Sequence, residues 1–322
     1  MKLLFNKNDK GAEELQELTG SFYANNDFGR IKTDILLESE KILDLVGAPV
    51  YQLAETFYHD APLNVPDQDD LLQHLQLPIA LMATFRYYQS NIMSHEDSGR
   101  KLKVDKDNEA TPWEWMLDRD DEAQLRKAYT TIDRLIRFLD KSGLTEWIES
   151  DQRKATRELF INNTQAFHSR YPIDESPRFF YAVLPFIAEV QKKYIAKALG
   201  KTAYDNLLSK FQSDTELLET EEILLDLVQT AIPLLTMAIA VKRLSLQVLP
   251  EGVVQQFRAA QQGRSASQPA LNATIKVFTD ELHLEAKKAL DEIKQELQKN
   301  NPDKVEYPLL PNNSETNKYC RT

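Results

Sequence analysis

Histidines, cysteines and paired carboxylates are the side chains from which active and metal sites are built, and this chain disperses all three. Its five histidines, His59, His74, His95, His168 and His283, have no partner four residues away and no HExxH run. No glutamate stands three residues before any of them, so the Glu-x-x-His pairs of di-iron helix bundles are missing. Asp280 does precede His283 by three, but the pair has no second copy. The one cysteine, Cys320, excludes an intramolecular disulfide and a four-cysteine zinc site. Gly200-Lys201-Thr202 looks like the end of a phosphate-binding loop, yet Ile195 stands where that motif needs glycine and the segment reads as helix. Carboxylates gather in runs such as Asp118-Arg119-Asp120-Asp121-Glu122, the pattern of a solvated helix face. These residues predict no catalytic site, no metal and no cofactor, and hence a protein that is not an enzyme.

The side chains that invite attention instead suit protein contacts. A polar excursion, Ser94 to Ala110, holds His95, Asp97, Ser98, Gly99, Arg100 and Lys101 and is too polar to build its own core. Trp113 and Trp115 follow Pro112 at the start of a helix. Packed inward they form a hydrophobic staple and core anchor; turned outward they form an aromatic hot spot beside the loop. The last 22 residues, from Asn301, combine three prolines and several asparagines with Tyr307, Leu309, Leu310 and Tyr319. Extended, such a segment reaches about 70 Å, and its large side chains suit an arm that orders on a neighbour.

The elements that must carry these residues are helical. Glycines number only 9 of 322 residues, apolar residues make up 42% and charged ones 28%, so the chain has the means to bury a core with few tight hairpins. A net charge of −11 argues against a basic nucleic-acid groove. The N-terminus lacks the apolar run of a signal peptide. Ile223–Val241 approaches membrane-spanning length, but it contains Asp226, Gln229 and Pro233, and a mid-membrane aspartate costs roughly 2.5–3.5 kcal/mol. A buried core helix is the expectation, with no membrane contact.

Sliding the chain over itself by 153 residues places Ile42 on Ile195, Gly47 on Gly200, Tyr51 on Tyr204, Leu71 on Leu224, Gln76 on Gln229 and Gly99 on Gly252. Phe28 then meets Tyr181 and Ile31 meets Leu184. One register aligns a helix end, a helix start and a loop glycine, which predicts an all-α tandem duplication. The expected units are 1–150 and 151–300, followed by an extended arm, 301–322. Each unit reads as a helix ending at Gly47 or Gly200, a short amphipathic helix, an acidic turn opening a long apolar helix, an excursion that suits a small β-hairpin, and a closing helix. Pro78 and Pro233 are expected to kink the long helices. In the closing helices, Leu125, Tyr129, Ile132, Ile136 and Leu139 recur at helical spacing, as do Ile275, Phe278, Leu282, Ala286, Ile293 and Leu297. Their offset has grown to 158, which places a five-residue insertion in the second excursion.

From Leu71 to Lys141 the order of features is a long apolar helix, a polar loop with Ser98-Gly99, the Pro112-Trp113 entry and a charged helix. This order resembles the helical head–tail connector, or neck adaptor, proteins of tailed bacteriophages, and a family found in phages and prophages of Bacteroidetes. The resemblance implies a structural protein of the virion, assembled in the bacterial cytoplasm as a homo-oligomeric ring under the portal protein. Its loop would reach toward the next tail or neck component, its C-terminal segment would dock on the portal, and DNA would pass through without specific binding. A cytoplasmic helical scaffold unrelated to virions is the main alternative, and a helical enzyme with an unrecognised site the next.

Overall fold

Apolar side chains at three- and four-residue spacing give each long helix one stripe to bury, and helices account for nearly all of the regular structure. The computed structural model describes residues 1–22, 26–60, 68–91, 94–96, 99–101, 113–213, 215–244, 246–249, 252–255 and 272–299. In the first half α1 (Gly11–Thr19), α2 (Phe28–Val46), α3 (Ala48–His59) and α4 (Gln68–Asn91) lead to a hairpin, β1 (Ser94–Glu96) and β2 (Gly99–Lys101), and then to α5 (Glu114–Ser142). The short helices α6 (Thr145–Ile148), α7 (Asp151–Arg157) and α8 (Thr164–His168) carry the chain onward. In the second half α9 (Pro177–Val190) runs through a π turn (Gln191–Ile195) into α10 (Ala196–Leu199), followed by α11 (Lys201–Gln212) and α12 (Glu219–Leu244). A second hairpin, β3 (Leu246–Leu249) and β4 (Gly252–Gln255), then precedes α13 (Asn272–Lys299).

The chain is a tandem duplication. A shift of 153 carries α3 onto α11 residue for residue, and the ends of α2 and α4 onto the ends of α10 and α12. The hairpins coincide pair for pair: Ser94↔Lys101, His95↔Arg100 and Glu96↔Gly99 become Gln247↔Val254, Val248↔Val253 and Leu249↔Gly252. α5 starts 158 residues before α13, so the insertion lies between hairpin and closing helix. Gly47 (φ 87°, ψ 150°) and Gly200 (φ 77°, ψ 154°) make the same corner, in a region that essentially only glycine occupies.

Upstream of that corner the register departs from expectation. Ile42 and Val46 fall on Ile195 and Leu199, but the buried Ile31 and Ile35 correspond to the buried Val183 and Ile187, one residue short of the 153 offset. The π turn at Gln191–Ile195 supplies the difference, since such a turn absorbs one extra residue without ending the helix. Matching Phe28 with Tyr181 and Ile31 with Leu184 is therefore one residue out. Ser39, which lies beside the Tyr51 hydroxyl, becomes the counterpart of Gln191, which donates to the Tyr204 hydroxyl at 2.9 Å.

Each half also begins with a short segment threaded into its core, Leu4-Phe5 in one and Leu159-Phe160-Ile161 in the other, all buried. The matched glutamines hold them: Gln76 Nε2 donates to the Leu4 carbonyl, and Gln229 Nε2 to the Phe160 carbonyl at 3.0 Å. A segment that pairs with no strand leaves its backbone carbonyls wanting donors, and these side chains supply them.

One core gathers buried residues from Leu4 to Trp147, the other from Leu159 to Ile293. Pro78 and Pro233 are buried inside α4 and α12, which continue past them. Among the described residues α12 is the one helix long and apolar enough to cross a membrane, and most of its apolar stretch is buried in the second core. Where α2 meets α4, Glu38 is buried and paired with Arg86 and Lys41. The equivalent positions of the second half, Val190 and Ile239, are apolar and buried.

The halves join through α5 and the start of α9. Asp133 on α5 accepts from the Ser176 hydroxyl and the Arg178 N–H, each at 2.8 Å. The Arg178 guanidinium lies 4.1 Å from the centre of the Tyr129 ring, and Arg137 donates to the Glu175 carbonyl at 2.7 Å. Trp147 of α6 is buried, donates to Asp140 at 3.0 Å and stands 6.0 Å from Tyr181, which packs on both cores.

Candidate protein-docking sites

The closing helix of the first half opens on apolar side chains that its own core does not take up. Trp113 is the N-cap residue of α5, in extended conformation, and its carbonyl accepts from the Met116 N–H at 2.8 Å. Trp113 is 70% exposed, Trp115 40% and Met116 44%. The inward reading of the tryptophans as staple and core anchor is thus overturned: the buried tryptophan of this protein is Trp147. The reason lies in the helix above them. α5 begins to bury side chains at Ala128, four turns further on, and ahead of that point it meets α4 through polar links such as Gln89 to Asp121 at 2.8 Å.

The second half repeats the pattern with other residues, exposing Leu244 at the end of α12 and Val277 and Phe278 near the start of α13. Both units thus expose apolar side chains around the same pair of helix ends. Between these helix ends stand the hairpins, alike in register and opposite in chemistry. The pair His95↔Arg100 in one occupies the place of Val248↔Val253 in the other. His95, Gly99, Arg100 and Lys101 lie in the first hairpin; Asp97 and Ser98 at its turn fall outside the described residues, as do Tyr307, Leu309, Leu310 and Tyr319 of the C-terminal arm.

Two clefts flank α5. One, of about 610 Å³, has Leu77 and Leu81 in its lining with Arg119, Arg126, Lys127 and Arg134. Glu122 lines the same cleft and pairs with Arg126 at 3.0 Å, which leaves Arg119, Lys127 and Arg134 as the excess positive charge over an apolar floor. The run Asp118-Arg119-Asp120-Asp121-Glu122 is largely solvated, as its charge pattern suggests, while the cations of the cleft recur every seven or eight residues along one side of the helix. The other cleft, of about 540 Å³, lies at the junction between Leu125, Tyr129 and Asp133 on one side and Ile173, Arg178 and Met237 on the other.

For chemistry the described residues offer little geometry. They contain no group of three or more His, Cys, Asp or Glu side chains placed to hold a metal ion. His74 stacks on Phe138 with ring centres 4.6 Å apart, and burial, followed by the nearby Arg134, pulls its pKa down. His168 has its Nδ1 turned to the backbone N–H groups of Ile173 and Glu175, at 3.1 and 3.3 Å, where it holds the left-handed pair Asp174-Glu175. Both imidazoles are part of the framework.

Comparison with known families gives a match that follows these boundaries. A model described as a family of unknown function, DUF6712, covers residues 42–157 and 195–321. The chain belongs to this family. The two matched segments begin 153 residues apart, the same shift that superposes the hairpins. No curated protein and no solved structure gives a significant match.

Proposed function

We propose that this protein is a structural connector in the neck of a tailed phage, part of a ring that joins the portal and capsid to the tail. The observation that carries the reading is the exposed cluster of Trp113, Trp115 and Met116 at the start of α5, the helix that follows a polar hairpin in the chain. A tryptophan pair held on a rigid helix start is the kind of anchor around which binding energy concentrates. The resemblance of Leu71–Lys141 to neck adaptors supplies the setting. On this reading the protein works by holding portal and tail proteins in place and transforms no substrate.

Mass spectrometry of purified particles from the source strain tests the setting, and the protein is expected there in stoichiometric amount with portal protein. Its absence from particles, with presence in the host cytosol, would refute the phage reading in favour of a cytoplasmic scaffold. A Trp113→Ser, Trp115→Ser variant tests the surface. It should keep the wild-type circular dichroism and melting temperature and fail to join particles. Normal incorporation of the double variant would remove the tryptophans from the contact.

A further inference from the structure

We propose that copies of this chain associate head to tail, the exposed face of α13 docking on the first half of the next copy as α5 docks on the second half within one chain. The duplication is what makes this visible. Within the chain two homologous units meet through unlike surfaces, the closing helix of one and the opening helix of the other. A contact of this heterologous kind leaves one copy of each surface unused at the ends of the pair, and repeating it builds a ring or a filament.

The free surface on α13 can be read residue by residue. The α5 positions at the junction, Arg126, Tyr129 and Asp133, correspond at the 158 offset to Leu284, Lys287 and Asp291. The buried Ala128 and Leu135 fall on the buried Ala286 and Ile293, so the two helices present equivalent faces to their cores. On the outward face Leu284 is 58% exposed and Val277, two turns before it, 59% exposed. Their α5 counterparts are Arg126 and Arg119, so apolar side chains stand at the free end where the first unit carries cations. The junction aspartate recurs as Asp291, which pairs with Lys294 of its own helix at 2.9 Å and has Lys287 nearby. On the receiving side, the counterparts of Arg178 and Met237 are Asn26 and Thr84 of the first half. The start of α2 around Gly29 and Lys32 is exposed, whereas Thr84 is already buried within its own half, so the free receiving surface is the start of α2.

This inference deepens the ring proposed above and depends on that reading only in expecting self-association. The full-length protein is examined by size exclusion with light scattering from about 1 to about 100 μM. Mass should rise above the 37.1 kDa of one chain with concentration. A Leu284→Glu variant should require at least about tenfold more protein to associate, because the change places an unpaired charge in the contact. Leu284→Ser serves as a milder second variant, and circular dichroism confirms that each folds. Lysine-reactive cross-linking should join Lys287 or Lys288 of one copy to Lys32 of another. A wild-type protein that stays monomeric throughout, variants that associate like wild type, or cross-links between two α13 helices would each overturn the proposal. Because Trp113→Ser, Trp115→Ser should leave the mass unchanged, failure at the tryptophan surface and failure here are separable.

Discussion

The second half supplies a ready substitution for the first. Glu38 and Arg86 occupy the α2–α4 contact where the other unit has Val190 and Ile239, so the double change Glu38→Val, Arg86→Ile imports a pairing that the fold already uses. Removing Arg86 alone leaves a carboxylate that is 4% exposed with only Lys41, itself 54% exposed, as partner. Breaking a buried pair in this way costs 3–5 kcal/mol when both ions are enclosed; with Arg86 45% exposed, screening by water reduces this to about 1–3 kcal/mol. The double variant trades desolvated ions for packed side chains and should lie within about 1 kcal/mol of wild type, or above it. The two residues are therefore predicted to be coupled by about 1–3 kcal/mol. Trp147 is the buried tryptophan and stands against Tyr181 at the junction, so tryptophan fluorescence during urea unfolding reports on the first core and its contact with the second half. Single-variant costs that simply add in the double variant would refute the equivalence of the two contacts.

Two further outcomes can be measured on the same preparations. Alanine at Gly47 or Gly200 forces a side chain into a glycine-only conformation, which costs about 1–3 kcal/mol; Gly47→Ala should cost more, since its Cβ would stand 3.1 Å from Gln152 Oε1 while the space around Gly200 is open. Equal losses in thermal unfolding would show that the neighbouring side chain gives way freely. Burial raises the pKa of Asp34, with Arg86 opposing and Glu38 reinforcing, so the folded state holds its proton more tightly than the unfolded chain. Its contribution to stability is complete below the ordinary carboxylate pKa of about 3.9 and is lost as pH rises through the folded value. Asp34→Asn should therefore stabilise by under about 1 kcal/mol at pH 7 and confer no such gain at pH 3; a gain that grows on acidification would contradict the assigned cause.

Much of the architecture is legible in the sequence because a duplication repeats its landmarks. Gly47 and Gly200, and Gln76 and Gln229, each mark a place where backbone geometry or a carbonyl partner leaves few alternatives, and Gly99 and Gly252 mark matched positions in the two hairpins. The one-residue slip in α9 is hidden because a π turn preserves helical periodicity on both sides of it. The threaded segments at Leu4 and Phe160 escape notice because they are a few residues long and sit at yet another offset, 156. Of the docking surface, the position of the tryptophan pair at a helix start is written in Pro112-Trp113, but its outward orientation depends on where α5 first meets its core. The cation-lined cleft requires α4 to place Leu77 and Leu81 beneath α5, a tertiary fact with no local signature.

The matched hairpins carry a consequence for symmetry. Each chain presents two tips of identical backbone pairing, one charged and one rich in valine and leucine. Any closed assembly of n chains consequently displays 2n tips in two alternating sets. Such a crown has n-fold symmetry in its side chains and nearly twice that in its backbone. A partner that reads only backbone shape meets 2n near-equivalent positions, whereas one that reads side chains meets n. In a ring of the proposed kind, one protein species would thereby fit components whose copy numbers differ by a factor of two, without any subunit leaving its place.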